Sequence, residues 1–306
     1  MKISIVTTMY YSEPYIREFY QRCVQQVLQI TDDYEIIFVN DGSPDDFLDV
    51  ALSIYKQDEN VKTIEVSRNF GYHKAIMCGL DQAVGDYIFP IDVDLEEETE
   101  WFVPFYNQMK NDRRDIVYGV QQKRKGNWFE RWTGALAYSV FNALCNVKIE
   151  NNITAARLMT KRYVKALCLF EEREPVFSEV CALAGFKQST QTVNKKFKGK
   201  TTYTIKKKVA IFVNMITAFS STPLNAIFYT GVFIFFGAAV YAFYLLTNRV
   251  FFARPLDGWT SVMMSIWLLD GLIILFIGVV GIYLSRVFIE IKQQPTTIIK
   301  EFYERE

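Results

Sequence analysis

A long stretch without charge divides this 306-residue chain into two unlike parts. No charged residue lies between Lys208 and Arg249, and Asp270 is the single exception in a second apolar stretch, residues 261–285. A helix that crosses a bilayer needs about 20 consecutive, mostly apolar residues. The two stretches therefore predict two transmembrane helices within residues 223–286. The alternative, two apolar helices buried in a domain core, fits the length and proximity of the two stretches less well.

Basic residues flank the two stretches unevenly. Seven lysines lie within residues 195–208, ahead of the first stretch, whereas the connecting loop carries only Arg249, Arg254 and Asp257. Basic flanks tend to stay on the cytoplasmic side of a membrane. Residues 1–204 and both termini are therefore expected to face the cytoplasm, and the first residues enter a strand directly, with no signal peptide ahead of them.

Two further segments have amphipathic patterns. Residues 205–222 include three consecutive lysines and then turn apolar, which predicts a helix lying in the membrane interface. Residues 128–144 set aromatic side chains on a helix next to basic ones, and they fit an interfacial helix and a core-facing helix equally well. The remaining residues, 287–306, are expected to form a cytoplasmic tail.

The first 204 residues have the pattern of an α/β domain. Short apolar, β-branched runs at residues 3–8, 35–40 and 61–67 alternate with segments of helical periodicity, and another run begins at Tyr87. Strand, helix and strand in this order predict parallel strands joined by right-handed crossovers. Open α/β sheets bind their ligands at the carboxyl ends of such strands.

Two carboxylates mark the end of the fourth run. Asp92 and Asp94 follow an apolar run and are separated by Val93. Because side chains alternate along a strand, the two carboxylates can point the same way while Val93 points into the core. Hard oxygen ligands suit Mg²⁺ or Mn²⁺ and leave coordination positions open for phosphate oxygens. The alternative is a solvated acidic turn, which the surrounding strand pattern makes less favourable.

Four motifs, taken in order, resemble those of the inverting family 2 glycosyltransferases of the GT-A fold, and among them the polyprenyl-phosphate glycosyltransferases. They are residues 39–43 (Val-Asn-Asp-Gly-Ser), 67–71 (Ser-Arg-Asn-Phe-Gly), 79–86 (Gly-Leu-Asp-Gln-Ala-Val-Gly-Asp) and 91–95 (Ile-Asp-Val-Asp-Leu). The resemblance covers nearly the whole chain. It implies a GT-A catalytic domain, residues 1–204, with a Rossmann-like, mostly parallel sheet, followed by two transmembrane helices.

The resemblance also implies the reaction: transfer of one sugar from a nucleotide donor to a polyprenyl phosphate, undecaprenyl phosphate in a bacterium, for modification of cell-surface glycans. The implied catalytic residues are Asp92, Asp94 and Arg157. The implied metal, Mg²⁺ or Mn²⁺, is held by Asp94 with Glu96. The implied donor-binding residues are Thr8, Tyr10, Asp41, Asn69 and Asp92. The implied acceptor-phosphate residues are Arg131 and Arg157, with Lys123 or Arg124.

The chain departs from the family pattern at several positions. Ala155 stands where relatives carry a carboxylate, Tyr10-Tyr11-Ser12 replaces Tyr-Asn-Glu, and Glu96 replaces a glutamine. An acceptor phosphate is already an anion and needs no strong general base, so the loss at Ala155 favours a phosphate acceptor. The alternatives are a transferase acting on a hydroxyl of a lipid-linked saccharide, and a catalytically weak scaffold for a sugar-modification complex. Retention of Asp41 and Arg157 argues against the scaffold.

Composition limits the remaining partners. The formal net charge is zero, which gives no sign of nucleic acid, and the five cysteines lack Cys-x-x-Cys spacing and are expected to be reduced. His73, the only histidine, either approaches the donor or is merely solvated. Asp270 is costly in a membrane span, so we expect it to be neutral on its own helix or paired with a neighbouring subunit or a sugar-lipid flippase.

Overall fold

A computed structural model of the chain describes residues 1–121, 152–195, 216, 220–252 and 258–305. They belong to two compact units. The described part of the first unit comprises residues 1–121, 152–195 and 293–305, and that of the second comprises residue 216, residues 220–252 and residues 258–292. The predicted interfacial helix, residues 205–222, and the amphipathic segment 128–144 lie largely or wholly outside the described residues.

The first unit contains one sheet of eight strands, in the order β7-β5-β6-β4-β1-β2-β3-β8. The strands are β1 Ile3–Met9, β2 Tyr34–Asn40, β3 Val61–Val66, β4 Tyr87–Pro90, β5 Ile116–Gln121, β6 Ile153–Thr160, β7 Gln188–Val193 and β8 Ile299–Tyr303. The helices of this unit are α1 Ile16–Val27, α2 Phe47–Gln57, α3 Tyr72–Asp81, α4 Phe102–Asp112, α5 Lys161–Leu167 and α6 Phe177–Leu183.

The sheet is mixed but mostly parallel. β1 pairs in parallel with β2 and β4, β2 with β3, and β5 with β7, whereas β6 and β8 pair antiparallel to their neighbours. The carboxyl ends of the first four strands therefore lie at the same end of the sheet, as their alternation with helices predicts. The predicted Rossmann-like α/β architecture is confirmed.

The residues of strand β2 are suited to the centre of the sheet. All seven of its residues are buried, since helices cover both faces. Ile36 and Phe38 pack into one hydrophobic cluster, and Ile37 and Val39 into the other. Burying a side chain of this size contributes about 1.5–3 kcal/mol. An uninterrupted apolar run, rather than an alternating one, is what a strand covered on both faces requires.

The segment that follows the last helix is part of the sheet. β8 lies antiparallel to β3, with Phe302 opposite Ile64. Lys300 forms an ion pair with Glu65 at 2.6 Å, and Lys62 forms one with Glu304. Residues 293–305, assigned from the sequence to a tail, thus belong to the first unit and cover an edge strand that would otherwise offer free backbone groups.

The second unit contains two long helices, α7 Thr222–Phe252 and α8 Trp259–Ile291. Within the described residues, one segment, Leu269–Ile291 of α8, is long and apolar enough to cross a membrane. The apolar part of α7, Thr222–Ala238, is shorter. The second transmembrane helix therefore stays a prediction. Asp270 lies within α8 and is exposed.

Candidate active site

The turns that follow β2 and β3 are joined by Asp41. This carboxylate is 3% exposed and accepts hydrogen bonds from the N–H groups of Phe70 at 2.8 Å and Gly71 at 2.9 Å. Burial raises the pKa of Asp41, and the two N–H donors oppose that rise. Asp41 therefore holds the turn after β3 against the turn after β2.

Gly42 allows the two turns to approach this closely. Its φ of +63° lies in the left-handed region that favours glycine. A Cβ atom on Gly42 would lie 2.6 Å from the backbone nitrogen of Asn69. The motif Val-Asn-Asp-Gly-Ser thus needs its glycine for two reasons: the turn requires a positive φ, and a side chain would collide with the backbone of Asn69.

Other predicted donor-binding residues lie at the same end of the sheet. Thr8 pairs with Val39 near the end of β1 and is half-buried. Tyr10 is 49% exposed, and its ring meets that of Tyr11 edge-on, with centroids 4.7 Å apart. Asn69 is exposed in the turn after β3. Exposed rings at a strand end can stack on a nucleotide base.

The turn after β4 presents carboxylates in an alternating pattern. Val93 and Leu95 are buried, whereas Asp92 and Asp94 are half-buried. Asp94 Oδ1 accepts a hydrogen bond from the Glu96 N–H at 2.9 Å. Burial, and then the negative charge of the nearby Asp92, raise the pKa of Tyr72 at the start of α3. β4 ends at Pro90, ahead of both aspartates, and their shared orientation stays a prediction.

The electrostatics of Asp92 reflect a crowded set of negative charges. Burial raises the pKa of Asp92, and the neighbouring charges of Glu97 and Asp94 raise it further. Lys195 opposes the rise. A positive ion close to Asp92 would relieve this crowding, because an opposite charge favours the ionised carboxylate.

Glu97 is a site residue that the sequence analysis missed. Its side chain is 1% exposed and accepts hydrogen bonds from the N–H groups of Ala155 at 2.9 Å and Ala156 at 2.6 Å. Lys195 Nζ lies 3.4 Å from the same carboxylate. Its partners Ala155 and Ala156 lie 58 and 59 residues away, so no local pattern identifies it.

Arg157 lies in β6 and is 4% exposed. Its guanidinium carbon stands 4.8 Å from the centre of the Phe177 ring and 5.9 Å from that of Tyr118. His73 Nδ1 accepts a hydrogen bond from the Phe177 N–H at 3.3 Å, which ties the start of α3 to the start of α6. Burial raises the pKa of Tyr72 despite the opposing charge of Arg157. Arg157 is thus buried, with its guanidinium group against the rings of Phe177 and Tyr118.

The remaining predicted residues cannot all be placed. Arg131, Lys123 and Arg124 lie outside the described residues. Among the described residues, no three histidine, cysteine or acidic side chains form a ready-made metal site. Asp92, Asp94 and Glu96 nevertheless fit Mg²⁺ or Mn²⁺ in chemistry, because they supply oxygen donors and unbalanced negative charge, and such ions take further ligands from water and phosphate.

Open α/β sheets bind ligands at the carboxyl ends of their strands, and the carboxylates of residues 92–97 follow β4 at that end. The sequence model of glycosyl transferase family 2 matches residues 4–168. The chain belongs to this family and is a glycosyltransferase.

Two relatives cover almost all of the chain. A glycosyltransferase of Mycobacterium tuberculosis (strain CDC 1551 / Oshkosh) is 46% identical over 303 residues, which are 99% of this chain and 89% of the relative. The prophage bactoprenol glucosyl transferase homolog of Escherichia coli is 31% identical over 306 residues, 98% of this chain and 99% of the relative. Among solved structures, residues 1–349 of Staphylococcus aureus TarS match with a TM-score of 0.48 and 17% identity, over 71% of this chain and 65% of that one.

Proposed function

We propose that this enzyme transfers a single sugar, with inversion, from a nucleotide-sugar donor to a polyprenyl phosphate at the cytoplasmic face of the membrane. The observation that carries the proposal is the carboxylate turn 92–97, which follows β4 at the same sheet edge as the turn held by Asp41. The name of the Escherichia coli relative supports a polyprenyl acceptor. Undecaprenyl phosphate is the form this acceptor takes in bacteria.

The donor would lie along the edge formed by β1, β2 and β3. Tyr10 offers a ring to the base, and Thr8 and Asn69 flank it with polar groups. Asp94 and Glu96 would hold Mg²⁺ or Mn²⁺, with Asp92 beside them. Such an ion acts as a Lewis acid for the departing diphosphate.

The surroundings of Ala155 support a phosphate acceptor over a hydroxyl. Glu97 brings a carboxylate to this position, but two N–H groups and Lys195 already occupy its oxygens. A buried carboxylate with these partners is poorly suited to take a proton from a sugar hydroxyl. A phosphate needs positive charge instead, and the candidates that would supply it are Arg157, Arg131 and Lys123 or Arg124.

The apolar helices would anchor the enzyme in the membrane, with both termini in the cytoplasm. The length and composition of Leu269–Ile291 support one crossing. The uncharged run 209–248 supports a second. The lysines ahead of that run support the orientation. This arrangement supplies the enzyme with cytoplasmic nucleotide sugars and with a lipid acceptor.

The experiment that tests the proposal is a search for the product. Membranes containing the enzyme are incubated with labelled UDP-, GDP- and dTDP-sugars, and lipids are extracted with butanol. We expect label from one donor in an acid-labile lipid, because a sugar joined to a polyprenyl phosphate is readily hydrolysed by mild acid. A product stable to mild acid, or one formed on a neutral glycolipid alone, would indicate the hydroxyl acceptor instead.

Arg157→Ala is expected to raise the apparent KM for polyprenyl phosphate about tenfold, and the donor KM less, because a buried positive charge acts strongly on a nearby anion. Arg157→Lys should recover most of the affinity. Arg17→Ala removes an exposed arginine from α1 and serves as the control for lost charge. Equal changes in both KM values would argue against a role toward the acceptor.

The topology predicts where new cysteines can be labelled. Cysteine placed at position 257, in the loop between the apolar runs, should react with an impermeant maleimide added to intact cells. Cysteine placed at position 306 should react only after the cells are opened, and the unsubstituted chain sets the background. The reverse pattern would place the catalytic unit outside, away from nucleotide sugars.

A further inference from the structure

Lys195 lies directly after β7, with its ammonium group among the carboxylates of the candidate site. Its Nζ atom is 3.4 Å from Glu96 Oε2 and 3.4 Å from Glu97 Oε1. Burial lowers the pKa of Lys195, but four carboxylates outweigh it and raise that pKa; in order of effect they are Glu97, Asp92, Asp94 and Glu96. By geometry, Lys195 forms ion pairs with two glutamates of the carboxylate turn.

This position creates a conflict with a divalent cation. Asp94 and Glu96, the candidate metal ligands, belong to the same set of charges that holds Lys195. Glu96 cannot give its full negative charge both to the ammonium group and to a metal ion. Moreover, like charges in a partly buried site repel strongly, because little water separates them. Lys195 and the metal therefore compete for the same carboxylates.

A donor would resolve this conflict. Its diphosphate adds negative charge at the place where the metal and Lys195 meet, so the ammonium group gains a new partner as it gives up Glu96. Charge-assisted hydrogen bonds from an ammonium group to phosphate oxygens are strong. The side chain of Lys195 is 24% exposed and four methylene groups long, so it can reach toward a ligand without a change in β7.

We propose that Lys195 is an internal counterion of the carboxylate turn: it weakens metal binding in the absence of a donor and pairs with the donor's diphosphate once that arrives. The inference rests on the proposed function, in which Asp94 and Glu96 hold the metal. It makes metal and donor binding mutually favourable, as coupled sites are in general. The site would fill with both ligands together rather than with the metal alone.

Mn²⁺ binding to the full-length protein in detergent tests the proposal without an activity assay. Free Mn²⁺ is followed by electron paramagnetic resonance, and labelled inorganic pyrophosphate is the nucleotide-independent diphosphate probe. Lys195→Met should bind Mn²⁺ alone about tenfold more tightly than the unsubstituted protein, a factor typical of coupled sites. At saturating Mn²⁺, the same variant should bind pyrophosphate about tenfold more weakly.

Matched variants separate this effect from net charge and from folding. Lys187→Met removes an exposed lysine beside the other end of β7 and should leave both affinities unchanged. Lys195→Arg keeps the charge and should bind Mn²⁺ as the unsubstituted protein does. Equal Mn²⁺ affinity for Lys195→Met and Lys187→Met would overturn the proposal that Lys195 is an internal counterion. Mn²⁺ binding that survives Asp94→Ala unchanged would instead overturn the metal site of the proposed function.

Discussion

Asp94→Ala is expected to lower the rate of sugar transfer about a thousandfold, because a metal-held leaving group is worth several kcal/mol of transition-state stabilisation. The fold should survive. Asp94 is half-buried, and its bond to the Glu96 N–H lies within the turn itself. Transfer of labelled sugar into extractable lipid gives the rate, and thermal unfolding checks the fold.

Two controls make the Asp94 result specific. Asp112→Ala removes an exposed aspartate from the end of α4 and should leave transfer unchanged. EDTA should abolish transfer by the unsubstituted enzyme, and added Mn²⁺ or Mg²⁺ should restore it. Full turnover in EDTA would mean that the carboxylate turn does not act through a metal.

Glu97→Ala is expected to destabilise the catalytic unit by about 2–4 kcal/mol, since the buried N–H of Ala156 and the partly buried N–H of Ala155 lose their acceptor. The unfolding temperature should fall by about 5–10 °C. Transfer should fall as well, because the contact of Glu97 with Ala155 and Ala156 links the carboxylate turn to β6, the strand that carries Arg157.

Glu97→Gln keeps the size of the side chain and removes its negative charge, so it separates the two contributions to stability. The amide oxygen can still accept one N–H, so the loss of stability should be smaller than for alanine. Glu59→Ala, at an exposed position before β3, is the control and should unfold with the unsubstituted protein. An unfolding temperature unchanged by Glu97→Ala would show that the two N–H groups find other acceptors.

The sequence predicts the parts of the site that depend on local pattern. Apolar runs locate β1 to β4, and the spacing of Asp92 and Asp94 predicts that Val93 between them is buried, as it is. Asp41 shows the limit of that reasoning. Its place in a turn is evident, but its two acceptor bonds go to Phe70 and Gly71, 29 and 30 residues away.

The parts that were missed depend on distant contacts. Glu97 appears in the sequence as one of three consecutive glutamates, and its partners lie 58 and 59 residues further on. Lys195 appears as one basic residue among many, and only the fold brings it to Glu96. β8 has a short, mixed pattern, and its partner β3 lies more than 230 residues earlier. Local periodicity holds no information about such pairs.

The place of β8 in the sheet has a consequence for how the enzyme is made. A ribosome synthesises β1 to β7 first and then α7 and α8, so residues 299–303 emerge only after both apolar helices. Until then β3 is an unpaired edge, open to pairing with other chains. A nascent chain halted after α8 would already contain Asp92, Asp94, Glu97 and Lys195, yet its sheet would be unprotected. The apolar helices are thus synthesised before the catalytic sheet is complete. The β3 edge is therefore covered by β8 only after the predicted membrane anchor has been made.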